Sequence, residues 1–238
     1  PYWNRNVTPQ FSVANQYQTD NDSNKKYRSQ GITTRLVAPG KGIIRGTSAL
    51  VSMGKGLTAT NIVATDVALH CKLTIQADWH RKEYPNSPMG AVALARQAMH
   101  DATWYREAWR AYSVDTTLPM PEWNDALRVL HTYLDSNQLV MIEASDEQFL
   151  LRADDFAREF GMRAVIVGSG KEYQRLAEVR TTNRSVIVPV NFPKAPHVAT
   201  PEMAIHATLE QLLHWDLAPD NPAKLVEWIG RAPCRDKV

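Results

Sequence analysis

The chain has 238 residues, 44% of them hydrophobic and 22% charged, with 27 Lys and Arg against 25 Asp and Glu. That length suits one large domain or a part of a larger protein, and a formal charge of +2 gives no electrostatic ground for a nucleic-acid or anionic-membrane partner. No stretch approaches the roughly 18 uninterrupted apolar residues of a spanning helix. The opening PYWNRNVTPQ has neither an initiating Met nor a basic-then-apolar signal pattern, and so reads as the start of a processed or internal segment.

In chain order, residues 1–30 are rich in Asn, Gln, Asp and Ser and predict a polar lead-in with at most one short helix. A strand is expected over 32–38, stopped by Pro39. The following GKGIIRGTS, 40–48, invites comparison with a phosphate loop but lacks the terminal Gly-Lys-Ser/Thr, so it reads as a turn. Further strands are expected over 48–53 and 68–75. After the proline-broken loop WHRKEYPNSP, a long helix over 89–112 carries Val92, Ala95, Met99, Ala102 and Trp109 on one side. A second helix, 122–135, follows Pro121, with Ala126, Leu127, Leu130 and Leu134 as its stripe.

Residues 139–190 are the most informative. Three apolar runs, 139–142, 164–167 and 186–190, are rich in Val and Ile without polar alternation, as strands buried on both faces are. Helical segments separate them, which predicts β-α-β-α-β with parallel strands and an α/β fold. Phe149, Ala153, Phe156 and Phe160 form the stripe of the first helix, Ser145 or Asp146 is its cap, and Gly161 its stop. Tyr173, Leu176 and Val179 mark the second helix. After a proline-rich turn, helices are expected over 202–215 and 222–229.

In parallel sheets, ligands gather at the carboxyl ends of the strands. Those ends carry Glu143, Asp146 and Glu147, then Gly168-Ser169-Gly170, then Asn191. Glu143 is a candidate metal ligand, because an acid at a buried strand end is costly unless paired, protonated or metal-bound; a structural hydrogen bond is the equal alternative. Gly168, Ser169, Gly170 and Asn191 are candidate substrate contacts, since free N–H groups between a strand and a helix attract anions. A tight turn needing glycine torsions is the plainer account of the same loop. The seven histidines form no HxH, HExxH or Cys/His set, though His206 and His214, eight apart, suit one helix face. Cys71 and Cys234 lie far apart with no metal or redox spacing.

Several longer stretches resemble a known family: GITTRLVAP, GIIRGTSALVSMG, YPNSPMGAVALARQAMHDATWY, EASDEQFLLRADDFAREFGMRAVIVGSGKEY, VIVPVNFP and HWDLAPDNPAKL. From about Trp3 to Leu225 the chain is similar to the amidohydrolase superfamily, in its bacterial imidazolonepropionase-like branch. The resemblance implies a metal-dependent (β/α)8 TIM barrel that hydrolyses amide or cyclic amide C–N bonds in a small-molecule substrate, with a divalent metal, zinc, activating water. The family's ligands are a His-x-His pair after the first strand, a His after the fifth, a His after the sixth and an Asp after the eighth. Here the fifth-strand position falls on Glu143 and the sixth-strand position on Gly168; the others would precede Pro1 and follow Val238. His197 would be an added ligand outside the family pattern.

The resemblance thus implies barrel strands two to seven, with 1–30 as lead-in and 31–238 as an incomplete barrel. The first and last strands would be missing, and the expected partners are N- and C-terminal segments of the same protein. An open sheet edge is expected, with residues 1–30 placed to cover it, and no tight zinc in this chain alone. The alternative function is a catalytically inactive barrel serving as a binding or structural domain.

Overall fold

The computed structural model describes residues 1–75 and 83–229. His80 and Cys234, and the chain end after Ile229, lie outside the described residues. Two compact units emerge, Pro1–Ile142 with Ala157–Ala164, and Glu143–Phe156 with Val165–Val238. The lead-in contributes Val13, Phe11 and Tyr17 to a core of the first unit.

The first unit begins with α1 (Asn21–Ser29), capped by the Asp20 carboxylate, which accepts from the N–H groups of Asp22 and Ser23. Then come β1 (Thr34–Val37), β2 (Ile44–Thr47), β3 (Ala49–Ser52), the single-turn α2 (Thr58–Asn61), β4 (Ile62–Ala64) and β5 (Leu69–Lys72). β1, β3 and β4 form an antiparallel sheet. Its buried Ala49, Val51 and Met53 close over Val13 of the lead-in, flanked by Phe11, Tyr17 and Ile62. Helices α3 (Pro88–Val114) and α4 (Asp125–Asp135) follow, capped by Ser87 and Asn124, and β6 (Val140–Glu143) comes next. α3 is expected over 89–112 and runs a few residues further, since Ser87 and Pro88 make a strong start.

β2 is a correction, because the stretch 40–48 reads as a turn from sequence. Gly46, at φ +104°, sits in a register shift where β2 pairs antiparallel with β5. A Cβ there would lie 2.1 Å from the Phe11 carbonyl oxygen, so only glycine fits a backbone approached this closely. Phe11 belongs to the lead-in, which pairs along β2 through bridges Val7–Ile44 and Ser12–Thr47. The Thr8 amide donates to Ile44 O and the Thr47 amide to Phe11 O, both at 2.8 Å. Residues 7–12 therefore lie along the β2 edge of the sheet.

The second unit holds most of α5 (Glu147–Glu159) and β7 (Ala164–Val167), then α6 (Leu176–Thr182), β8 (Val186–Ile187), α7 (Pro201–His206), α8 (Leu209–Leu217) and α9 (Asn221–Ile229). The Asp146 carboxylate caps α5 by accepting from the Phe149 amide at 2.7 Å. Phe149, Ala153 and Phe156 are buried as the stripe predicts, and Gly161 ends the segment at φ +61°. In the first unit the strand order runs β2-β5-β6, and in the second β7 lies beside β8. β7 and β8 are parallel, with Ile166 opposite Val186 and Val167 opposite Ile187. Hydrogen bonds from Val140 N to Arg163 O and from Ala144 N to Val167 O advance together along β6 and β7, the sense of a parallel pair. The chain is thus a mixed α/β protein with parallel strands where the apolar runs predict them.

Two expectations need correction here. β8 is expected over 186–190 but ends at Ile187, because Pro189 has no N–H to give to a neighbouring strand. The single helix expected over 202–215 is two. Ala207 is extended, and Thr208 with Gln211 forms a reciprocal capping box that starts α8 afresh. Among the described residues no helix is long and apolar enough to cross a membrane.

Candidate functional site

The second unit gathers the predicted site residues near the carboxyl ends of β6, β7 and β8. The Ala144 N–H to Val167 O bond, 2.9 Å, sets Glu143 and Gly168 one residue to either side of it on adjacent strands. Glu143 is half-buried and Gly168 is buried. Asn191 is exposed in the segment after β8 and takes no part in the network described next.

That network centres on Glu172, a residue sequence reasoning passes over. It opens a 3-10 turn, Glu172–Arg175, so the second helix starts only at Leu176. Its side chain is 0% exposed, and its carboxylate accepts from four donors. The Ser169 amide lies 2.6 Å from Oε1, the Gly170 amide 3.1 Å from both oxygens, and the Ser169 hydroxyl 3.3 Å from Oε1. The Asn221 side-chain amide, from the first residue of α9, donates to Oε2 at 2.7 Å. The loop therefore does collect negative charge, as its free N–H groups predict, but the anion is the chain's own.

Gly168 acquires a physical reason from this. A Cβ on it would lie 2.5 Å from Glu172 Oε1 and 3.2 Å from Val186 Cγ1. The space a side chain would use at this strand end is filled by the Glu172 carboxylate. Asn221 is also fully buried, and its Oδ1 accepts no hydrogen bond among the described residues.

Beside the nest lies a second polar group. Lys171 pairs with Glu210 at 3.0 Å, and the Tyr173 hydroxyl meets His214 Nδ1 at 3.2 Å with the two rings stacked. The hydrogen bond it donates to Glu210 holds the Lys171 ammonium above its ordinary value, with Glu147 adding to the effect. Burial, followed by the nearby Lys171 charge, holds the His214 imidazole below its ordinary value. His214 is therefore neutral at neutral pH, with one ring nitrogen engaged by Tyr173. His206 and His214, expected on one helix face, stand on α7 and α8 but line one cavity of about 360 Å³, together with His197 and Lys194.

The donor set does not fit a metal. Among the described residues no group of three or more His, Cys, Asp or Glu is placed to hold one. The Glu172 carboxylate, nearest to the Gly168 position, is already surrounded by N–H donors.

No family model and no curated protein sequence matches the chain. A solved structure does: an amidohydrolase from Thermotoga maritima, with a TM-score of 0.71 at 17% identity. The likeness covers 93% of this chain and 55% of that one, so the chain spans about half the length of the structure it matches. At that identity the likeness is one of fold.

Proposed function

We propose that the protein is a hydrolase of the amidohydrolase type that cleaves non-peptide C–N bonds, in an amide or cyclic amide, with this chain forming the central strands of its (β/α)8 barrel. The fold likeness over 93% of the chain is the observation that carries this reading. The imidazolonepropionase-like branch rests on the sequence motifs alone.

In this reading the chain's own residues bind substrate and handle protons. His214, neutral and held at Nδ1 by Tyr173, is the proton acceptor. With Nδ1–H donating to the Tyr173 oxygen, Nε2 keeps its lone pair for a proton from the attacking water. The Lys171 ammonium, fixed by Glu210, favours an anionic group nearby. A divalent metal would need ligands beyond the described residues, with Glu143 the one carboxylate at a family ligand position.

A second reading has a specific observation in its favour. The Glu172 carboxylate fills the sixth-strand position, which suits a barrel that has given up catalysis and serves for binding. The test is turnover of a panel of N-acyl amino acids and five-membered cyclic amides, with and without added zinc, beside metal content by mass spectrometry. Turnover that falls at least about tenfold in His214→Ala supports the hydrolase. No turnover above buffer under either condition refutes it and leaves the binding domain.

A further inference from the structure

The cavity beyond the β8 end has a lining of one chemical character. It is walled by the loop 193–197, by α7 and by α8, and its polar lining residues are Lys194, His197, His206, Gln211 and His214. Lys194, His197, His206 and Gln211 each offer a hydrogen-bond donor or a cation, and no acid among the described residues lines it. Met203 and two prolines supply an apolar wall, and the prolines stiffen the loop before any ligand arrives. Its volume of about 360 Å³ is that of a site for a small molecule.

We propose that this cavity binds a small carboxylate with a compact apolar body, the carboxylate held by Lys194, His197 and His206 and the body against Met203. The assignment stands whether or not the protein hydrolyses C–N bonds. The acids of the surrounding elements are committed elsewhere. Glu210 is paired with Lys171, and Glu172 is enclosed by its own loop. The Glu202 carboxylate is held low by its own backbone N–H and by Thr200, at the start of α7. No ion pair or hydrogen bond engages Lys194, His197 or His206 among the described residues. An aliphatic or aromatic carboxylate is preferred to phosphate, because a wall of Met203 and prolines offers a compact, strongly hydrated dianion nothing and rewards an apolar body.

His214 supplies an internal reporter. The groups facing it are Lys171, Tyr173, Glu172 and Glu210. An anion lodged beside the imidazole favours its protonated form, so binding raises its titration midpoint, and by linkage protonation tightens binding.

The test is a titration of the protein with benzoate, benzamide and inorganic phosphate, followed by the histidine ring resonances in heteronuclear NMR. Benzoate is expected to shift His197, His206 and His214 and to move the His214 midpoint upward. Benzamide, of the same shape without the charge, binds at least about tenfold more weakly, a difference of about 1.4 kcal/mol. Lys194→Gln with His206→Gln, both surface changes, weakens benzoate by a similar factor. Equal response to benzamide, no response to benzoate, stronger competition by phosphate, or benzoate binding that survives the double substitution each overturns the assignment.

Discussion

Replacing Glu172 by Ala strands the donors that now converge on its carboxylate. Three of them, the Ser169 amide, the Gly170 amide and the Asn221 side-chain amide, lie within 3.1 Å of an oxygen. Glu172 and Asn221 are both 0% exposed, so water does not replace the acceptor without opening the loop. At about 1–2 kcal/mol for each stranded donor, Glu172→Ala costs about 3–6 kcal/mol locally. Glu172→Gln behaves differently. It keeps one oxygen for the Ser169 and Gly170 amides, and Asn221 rotates its amide to present Oδ1, which has no partner, to the new NH2. Only the charge assistance is lost, about 1–2 kcal/mol. With two units in one chain, a global unfolding curve does not isolate this loop. Native-state hydrogen exchange at the Ser169 and Gly170 amides does. Protection falling by orders of magnitude in the Ala variant and by about tenfold in the Gln variant is expected. If the Ala variant keeps its protection within tenfold of the parent, or if Ala and Gln behave alike, the nest does not hold this loop.

Gly168→Ala forces a Cβ to within 2.5 Å of Glu172 Oε1 and is expected to cost about 1–3 kcal/mol, read by native-state hydrogen exchange of the β7 amides. Most of that cost disappears when the substitution is made in a Glu172→Ala background, and plain additivity would contradict the geometry. Asp154→Ala removes the partner of Arg184 Nε at 2.8 Å, with side chains only 8% and 19% exposed. Losing this carboxylate from a mostly buried ion pair costs about 3 kcal/mol, read as a lowered denaturation midpoint that Asp154→Asn partly restores. Burial pushes the Cys71 thiol up to about 12, against a weaker opposing pull from Arg45. Iodoacetamide is therefore expected to spare Cys71 in the folded protein at mildly alkaline pH, as judged by peptide mass. Because the unfolded thiol ionises first, stability contributed by this group is full below the unfolded value of 9.0 and declines as pH rises above it. A titration of stability against pH that is flat in that range, or identical for Cys71→Ala, would refute the point.

Periodicity and local chemistry made much of the scaffold legible. β7 falls at Ala164–Val167 as its apolar run predicts, and α5 buries Phe149, Ala153 and Phe156 between an Asp146 cap and Gly161. These features depend on residues a few positions apart, whose spacing fixes a face or whose side chain closes a nearby N–H. Pro189, which shortens β8, and the Thr208–Gln211 box, which divides the last long helix, are equally local and were written in the sequence. Gly46 was not: its need for glycine comes from the Phe11 carbonyl, brought up by the lead-in. The site is the extreme case. Glu172 and Asn221 are 49 residues apart, and Tyr173 and His214 are 41 apart. Only packing removes water from Glu172 and so leaves the loop amides and Asn221 as its donors. The sequence placed anion-seeking N–H groups at Ser169 and Gly170; the tertiary structure decided that the chain's own carboxylate fills them, because a buried charge must find donors within the fold.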